Sequence, residues 1–517
     1  MLRRFLKQNA FAIVMGAATF VSGLLIRILF PSFFSPEQYG LLATAMSLMF
    51  YFATVSDAGV FNGMTKFFGE AYHKKSPHAF KLGAYLGLIR FALLSIVALY
   101  IWLNSEQLAS SVFHSAQYAG LFRIISISSF LYGMTMLFCN YFSAANEFFY
   151  NMILGIVLNG AKAILPILFL FFICKDIECV LSSFIFAFLI SFLFILALFI
   201  YFFISQKHIE MNWNVRIPKV ETNVIIKFLV LSAVLSVSSY FFGAPEIALL
   251  SYFRNAEEAA YYSLAVTIIF AVFSLLPISV DFLFSSLVEL EAKKETERQK
   301  KMFEKTAKYA GMLTIAISLF IFFFSSKFFD VLIRIMHYDS NYINAAFALQ
   351  ILAPVVFFSF FVSVAQKVFI ARGRMESLVI NMILVFLFSI SGNVLLASTF
   401  GFRGTAFAAL ATQSFAFLLL FPNAAKEINA EIKLLYFIKP LLFFVPSLVL
   451  LIALPHASAY LLLPLSLALY SLMFLVFLEE EDKRLILRFF SFVLGLGILP
   501  KYFQKTGLEI MRKREGK

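Results

Sequence analysis

Long apolar stretches recur along almost the whole of this 517-residue chain, each near the 20 residues that a helix needs to cross a bilayer. The residues are 62% hydrophobic and 14% charged, against about 45–50% apolar and about 25% charged in a soluble domain. Such a chain could not cover a water-facing surface with polar groups, so a soluble enzyme is excluded. A membrane β-barrel is excluded as well, because its strands would alternate apolar and polar residues every second position. The expected fold class is an all-α polytopic membrane protein.

About fourteen transmembrane helices are expected, near residues 10–30, 38–64, 82–103, 118–143, 150–173, 179–204, 224–248, 259–288, 307–329, 342–370, 376–398, 402–422, 434–454 and 457–478. The basic start Met1–Lys7, followed by the apolar run from Phe11, reads as an uncleaved first span, since no convincing cleavage site precedes Arg27. With a cytoplasmic N-terminus, the inner connections and adjoining span ends carry 31 of the 42 Lys and Arg. The outer ones carry only Lys175, Arg254, Lys327, Arg334 and Arg403. That bias places both termini in the cytoplasm. It also accounts for the net charge of +13 without nucleic acid. Leu485–Leu499 is short for a span and reads as an interfacial or re-entrant helix ahead of a basic tail.

An internal repeat has a period near 225–230 residues. Asn151-Met-Ile-Leu154 echoes Asn381-Met-Ile-Leu384, and Glu37 and Glu257 open helices that each carry a deeper acid, Asp57 and Asp281. A period of six spans preserves orientation, so two pseudo-symmetric six-helix lobes are expected about an axis along the membrane normal. The lobes are residues 1–205 and 206–425. An appended pair of helices follows at 426–478, then a cytoplasmic tail at 479–517.

Chemistry-bearing motifs are few. Gly155–Lys162 looks faintly like a phosphate loop, but its lysine is misplaced by one residue and it lies inside an apolar helix. The three cysteines, Cys139, Cys174 and Cys179, predict neither a disulfide framework nor a zinc site. No cofactor and no metal are expected. The outer loops are too short to build an enzyme active site. Gly59-x-x-x-Gly63 and Gly83-x-x-x-Gly87 read as places of close helix approach. The polar segment Glu291–Lys308 reads as a solvated cytoplasmic loop.

The informative residues are charges inside spans, where an ionisable group at the helix centre costs about 2.5–3.5 kcal/mol on insertion scales and so faces a partner or an aqueous cavity. Asp57, Arg90, Lys162 and Asp281 lie deepest. Arg27, Arg123 and Glu246 lie nearer the outer face, and Lys227, Glu289 and Lys367 nearer the inner one. The first lobe contributes Arg27, Arg90, Arg123 and Lys162 against Asp57, which makes a cationic wall suited to pyrophosphate. The competing reading for the deep charges is a structural ion pair such as Asp57 with Arg90.

Two stretches carry a family resemblance. One runs from Pro31 to Phe61, with Tyr39-Gly40 opening a helix and Asp57-x-Gly59 near its end; the other runs from Ala371 to Ser414, with Gly401-x-x-Gly404 between two helices. With the repeat, the chain over about residues 1–425 resembles the polysaccharide transporter branch of the multidrug/oligosaccharidyl-lipid/polysaccharide exporter superfamily, which includes the Wzx-type O-antigen flippases. Fourteen spans also fit the lipid II flippase branch, although span one has only Arg27 where a cluster of arginines would be expected.

The resemblance implies a central cavity lined by helices one, two, seven and eight, which favours Arg27, Asp57 and Asp281. The implied cargo is an undecaprenyl-pyrophosphate-linked oligosaccharide, carried across a bacterial inner membrane by alternating access. Its pyrophosphate would be held by Arg27, Arg90, Arg123 and Lys162, and Asp57 or Asp281 would take a coupling ion. Membrane lipids are expected partners, and other polysaccharide-assembly proteins are candidate ones. The alternatives are a cation-coupled small-molecule exporter and a non-transporting scaffold of glycan assembly.

Overall fold

The computed structural model describes residues 22–432, apart from 75, 77, 146, 206–218, 240–243 and most of 275–293, together with scattered positions from 437 to 470. Contacts divide the chain into two units, residues 1–436 and 437–517. The described residues of the first unit form helices joined by short turns, with no strand. Among the described residues eight helices are long and apolar enough to cross a membrane, or nine with a pair bent by 48° counted as one span. Each of the first twelve expected spans contains described helix. The expected spans at 434–454 and 457–478 lie almost wholly outside the described residues, and the segment 485–499 does so entirely.

The first described helix, α1 (Ser22–Ser32), tightens into a 3-10 turn at Phe30–Ser32. Helix α2 (Pro36–Val55) starts where a sequence should start one. Ser35 accepts from the Gln38 amide at 3.3 Å, Gln38 Oε1 accepts from the Ser35 amide at 3.2 Å, and Pro36 takes the first helical position. It stops at Asp57-Ala58-Gly59, where Ala58 and Gly59 have φ of 44° and 76°. Asp57 Oδ2 then accepts from the Phe61 amide at 3.1 Å, restarting the helix as α3 (Val60–Gly63), which passes through a π-helical turn (Met64–Phe68) into Gly69–His73. The Asp-x-Gly motif is therefore a helix break with its own cap.

Helix α4 (Ala79–Leu103) buries Leu82, Gly83, Leu86, Gly87, Arg90 and Leu94, a single stripe at three- and four-residue spacing. Its other face exposes Leu88, Ile96, Leu99 and Leu103, as only a lipid-facing helix tolerates. The small residues of that stripe admit Tyr141, whose hydroxyl donates to the Gly83 carbonyl at 2.5 Å. Next come α5 (Ser105–Val112), α6 (Ala119–Ala144), α7 (Phe148–Leu168, with a π-helical turn Phe169–Ile173) and α8 (Ile177–Ser205). Cys174 and Cys179 form a disulfide across the α7–α8 turn, with Cα atoms 6.4 Å apart, which corrects the expectation of no disulfide. An odd cysteine count concealed it, because the third, Cys139, is a free thiol.

The remainder comprises α9 (Lys219–Ser239), α10 (Ala244–Phe253), α11 (Ala256–Ser274), α12 (Thr296–Met336), α13 (Asn344–Leu352), α14 (Val355–Ala371) and α15 (Met375–Ile428). At 41 residues α12 runs about 60 Å, twice a hydrocarbon core of about 30 Å. Much of Glu291–Lys308, expected as a loop, is therefore the protruding start of this helix. Gln299, Phe303 and Ala307 recur on its buried face, while Arg298, Lys301 and Lys305 are exposed. Helix α15 is two helices joined at Gly401, whose φ and ψ of 61° and −139° exclude a side chain. Glu258 accepts there from the Phe402 amide at 2.7 Å.

Helices α2 and α11 pack face to face through small residues, among them Gly40, Ala43, Ala259, Ala260 and Ala265. Lipid tails are as apolar as leucine, so close van der Waals packing holds helices together inside a bilayer. One end of the unit gathers the turns after α1, α5, α7, α10 and α12: Phe33 meets Phe171, Ser251 Oγ donates to the Val112 carbonyl, and Tyr342 reaches Phe34. The other end carries ion pairs, Lys227–Glu376 at 2.8 Å and Arg372–Glu291 at 3.1 Å among them.

Candidate functional site

A cavity of about 250 Å³ opens between α1, α2, α7 and α11. Two cations stand in it. Arg27 comes from the C-terminal half of the described α1, and Lys162 from the middle of α7. Arg27 Nη1 donates to Thr267 Oγ1 on α11 at 3.1 Å, and that hydroxyl in turn donates to the Ser263 carbonyl at 2.7 Å. Lys162 Nζ lies over the Phe50 ring, 5.6 Å from its centroid. Phe270, Met46 and Ile26 supply apolar wall, and no acid is among the described residues that line the cavity. Two like charges on separate helices in one cavity repel each other, which a bound anion would relieve. Below them Ser22 Oγ donates to Asn159 Oδ1 at 3.2 Å, tying α1 to α7.

The other predicted cations stand elsewhere. Arg90 is buried on α4, where it forms an ion pair with Asp57 and donates to the carbonyls of Gly133 at 3.4 Å and Ala53 at 3.5 Å. Arg123 sits half-exposed beside α5, 3.6 Å from Glu106, and donates to Ser105 Oγ at 3.4 Å. The structure thus brings Arg27 and Lys162 together, and holds Arg90 and Arg123 on other partners. Asp281 lies outside the described residues.

Glu246, on α10, is 1% exposed. It accepts from the Tyr262 hydroxyl at 2.5 Å and from Asn393 Nδ2 at 3.4 Å. A buried acid held by residues of α11 and α15 is a polar centre that the sequence showed only as a charge near a helix end. Thr267 gave no signal at all, because an uncharged residue in an apolar helix does not stand out. Among the described residues no three His, Cys, Asp or Glu converge as metal ligands.

The helical fold is similar to those of solved transporters of the MOP superfamily. The chain is similar to the lipid II flippase MurJ in an inward closed conformation, with a TM-score of 0.69 and 14% identity over 91% of this chain and 98% of that one. It is also similar to a multidrug resistance MATE family transporter in an inward-facing conformation, with a TM-score of 0.64 and 14% identity over 82% and 94%. A third structure, a MOP superfamily transporter from Pyrococcus furiosus described as having a reversed pocket polarity, gives a TM-score of 0.59 and 14% identity over 82% and 95%. No functionally curated sequence matches. The family model for polysaccharide biosynthesis proteins matches residues 5–284, more than half of the chain, and the protein belongs to that family, the polysaccharide transporter branch of the superfamily. It is a multi-pass membrane transporter and not an enzyme.

Proposed function

We propose that the protein translocates an undecaprenyl-pyrophosphate-linked oligosaccharide, an O-antigen or other surface-polysaccharide repeat unit, from the cytoplasmic to the periplasmic leaflet of a bacterial inner membrane. The observation that carries this reading is the pairing of Arg27 and Lys162 in one cavity with no acid among its described lining residues. A guanidinium offers paired donors to phosphoryl oxygens and an ammonium offers a point charge, so the two suit a pyrophosphate. A cationic drug would be repelled, which counts against the exporter alternative. In this conformation Arg90 and Arg123 are engaged by acids, so initial capture is assigned to Arg27 and Lys162. The two lobes, 1–205 and 206–425, would then rock about the cavity while the glycan crosses in its hydrated interior. With both termini cytoplasmic, the end bearing the ion pairs faces the cytoplasm and the opposite end the periplasm. A coupling proton or sodium ion at Asp57 or Asp281 belongs to the same proposal: neutralising the responsible acid should abolish gradient dependence.

The test is deletion of the gene in its host, with assay of surface glycan and lipid-linked intermediate. The expected result is loss of surface glycan, with intermediate trapped on the cytoplasmic leaflet. Wild type should restore it, and normally expressed Arg27→Ala and Lys162→Ala should not. Normal glycan and intermediates in a deletion without a redundant flippase would overturn the proposal.

A further inference from the structure

Three main-chain carbonyls where α1 ends, those of Arg27, Ile28 and Phe34, each accept a hydrogen bond from a tyrosine hydroxyl. Tyr39 donates to Arg27 at 3.3 Å, Tyr338 to Ile28, and Tyr342 to Phe34 at 3.2 Å. Carbonyls in the last turn of a helix have no intrahelical partner and need one from elsewhere. Here two of the three donors come from more than 300 residues away, on the turn after α12. The rings form one buried cluster: Tyr342 lies 6.1 Å from Tyr39 and 5.4 Å from Tyr338, centroid to centroid. Beside it Gly40 presses on α11 so closely that a Cβ would stand 1.6 Å from the Ala256 carbonyl oxygen. Arg27 is therefore held at three points: its guanidinium by Thr267, its own carbonyl by Tyr39, and the next carbonyl by Tyr338.

We infer that Tyr338 and Tyr342 are positioning residues, which fix Arg27 in the cavity by closing this end of the molecule over it. The part that concerns cargo rests on the pyrophosphate reading above; the closure does not. An anion that draws the Arg27 guanidinium from Thr267 pulls on the same turn of α1 whose carbonyls Tyr39 and Tyr338 hold, and on the chain just beyond it that Tyr342 holds at Phe34. Cavity occupancy and closure of that end are then linked through two hydroxyl groups.

The experiment uses the full-length protein lacking its native cysteines, with Ala271→Cys as a reporter in the cavity wall. A membrane-impermeant maleimide is applied to spheroplasts and, separately, to inverted vesicles. Tyr338→Phe and Tyr342→Phe keep each ring and delete only the hydroxyl. Each should raise labelling from the tyrosine end by about two- to tenfold, the equilibrium shift expected for one lost hydrogen bond, and lower it from the other end. Gly40→Ala, which wedges the seam instead of unbonding it, should act in the same direction. Unchanged labelling from both sides in well-expressed Tyr→Phe variants would overturn the inference. Inorganic pyrophosphate is the separate arm. If it binds neither the parent nor the variants while the labelling shifts stand, the cargo reading fails and the closure survives.

Discussion

Arg90 and Arg27 look alike in the sequence, each a single cation in an apolar helix, yet the structure gives them different work. Arg90 is 3% exposed and shares its charge with Asp57, 33 residues away, at the break between α2 and α3. Removing one member of a buried ion pair strands the other, at about 3–5 kcal/mol. Arg90→Ala should therefore lower the melting temperature in detergent sharply, with Arg90→Lys in between because it keeps the charge and loses the fork. A variant that melted like wild type yet failed to transport would instead make Arg90 a cargo ligand. The sequence made it plain that these charges matter, since nothing else lets a cation sit in hydrocarbon. The pairing of Arg90 with Asp57 was open to it only as the competing reading, and that is the one the structure bears out; partnership across three helices leaves no local pattern that would decide it.

Helix breaks were more legible than helix contacts. Gly401-x-x-Gly404 was read as a turn between two helices, whereas Asp57-x-Gly59 was placed inside one continuous span at 38–64; both prove to be points where the backbone leaves helical geometry with an acid capping the restart. At Gly401 the cap is Glu258, and a Cβ would fall 1.8 Å from its carboxylate oxygen. Gly401→Ala combines a forbidden backbone angle with that clash, so it should reduce folded yield far more than Glu258→Ala, which forfeits a cap worth about 1 kcal/mol; size-exclusion profiles of the two would show the order. The disulfide between α7 and α8 was not legible, because a five-residue spacing across a turn matches no framework pattern. Denatured protein should bind one maleimide, at Cys139, before reduction and three after it, by intact mass. Three before reduction would leave the pair unformed.

At the scale of the molecule, hydropathy foretold the helices, while the meeting of α1 with α7 and α11 at the cavity depended on packing between segments over 100 residues apart. Thr267 marks the consequence. Its hydroxyl accepts from Arg27 and spends its only proton on the Ser263 carbonyl, so it has no donor left for an anion. It therefore competes with cargo for Arg27 across the seam between the N-terminal helices and α11. Hydrogen bonds to charged groups contribute about 1.5–3 kcal/mol. Thr267→Val, nearly isosteric and unable to accept, should free the guanidinium and tighten inorganic pyrophosphate binding, by roughly tenfold or more if the whole bond is released. Calorimetry on the purified protein reads this directly. Combining it with Arg27→Gln should erase the gain, because the substitution acts only through Arg27. Weaker binding in Thr267→Val alone would mean that the hydroxyl turns toward the anion when it arrives, and the seam would then be completed by cargo and not opened by it.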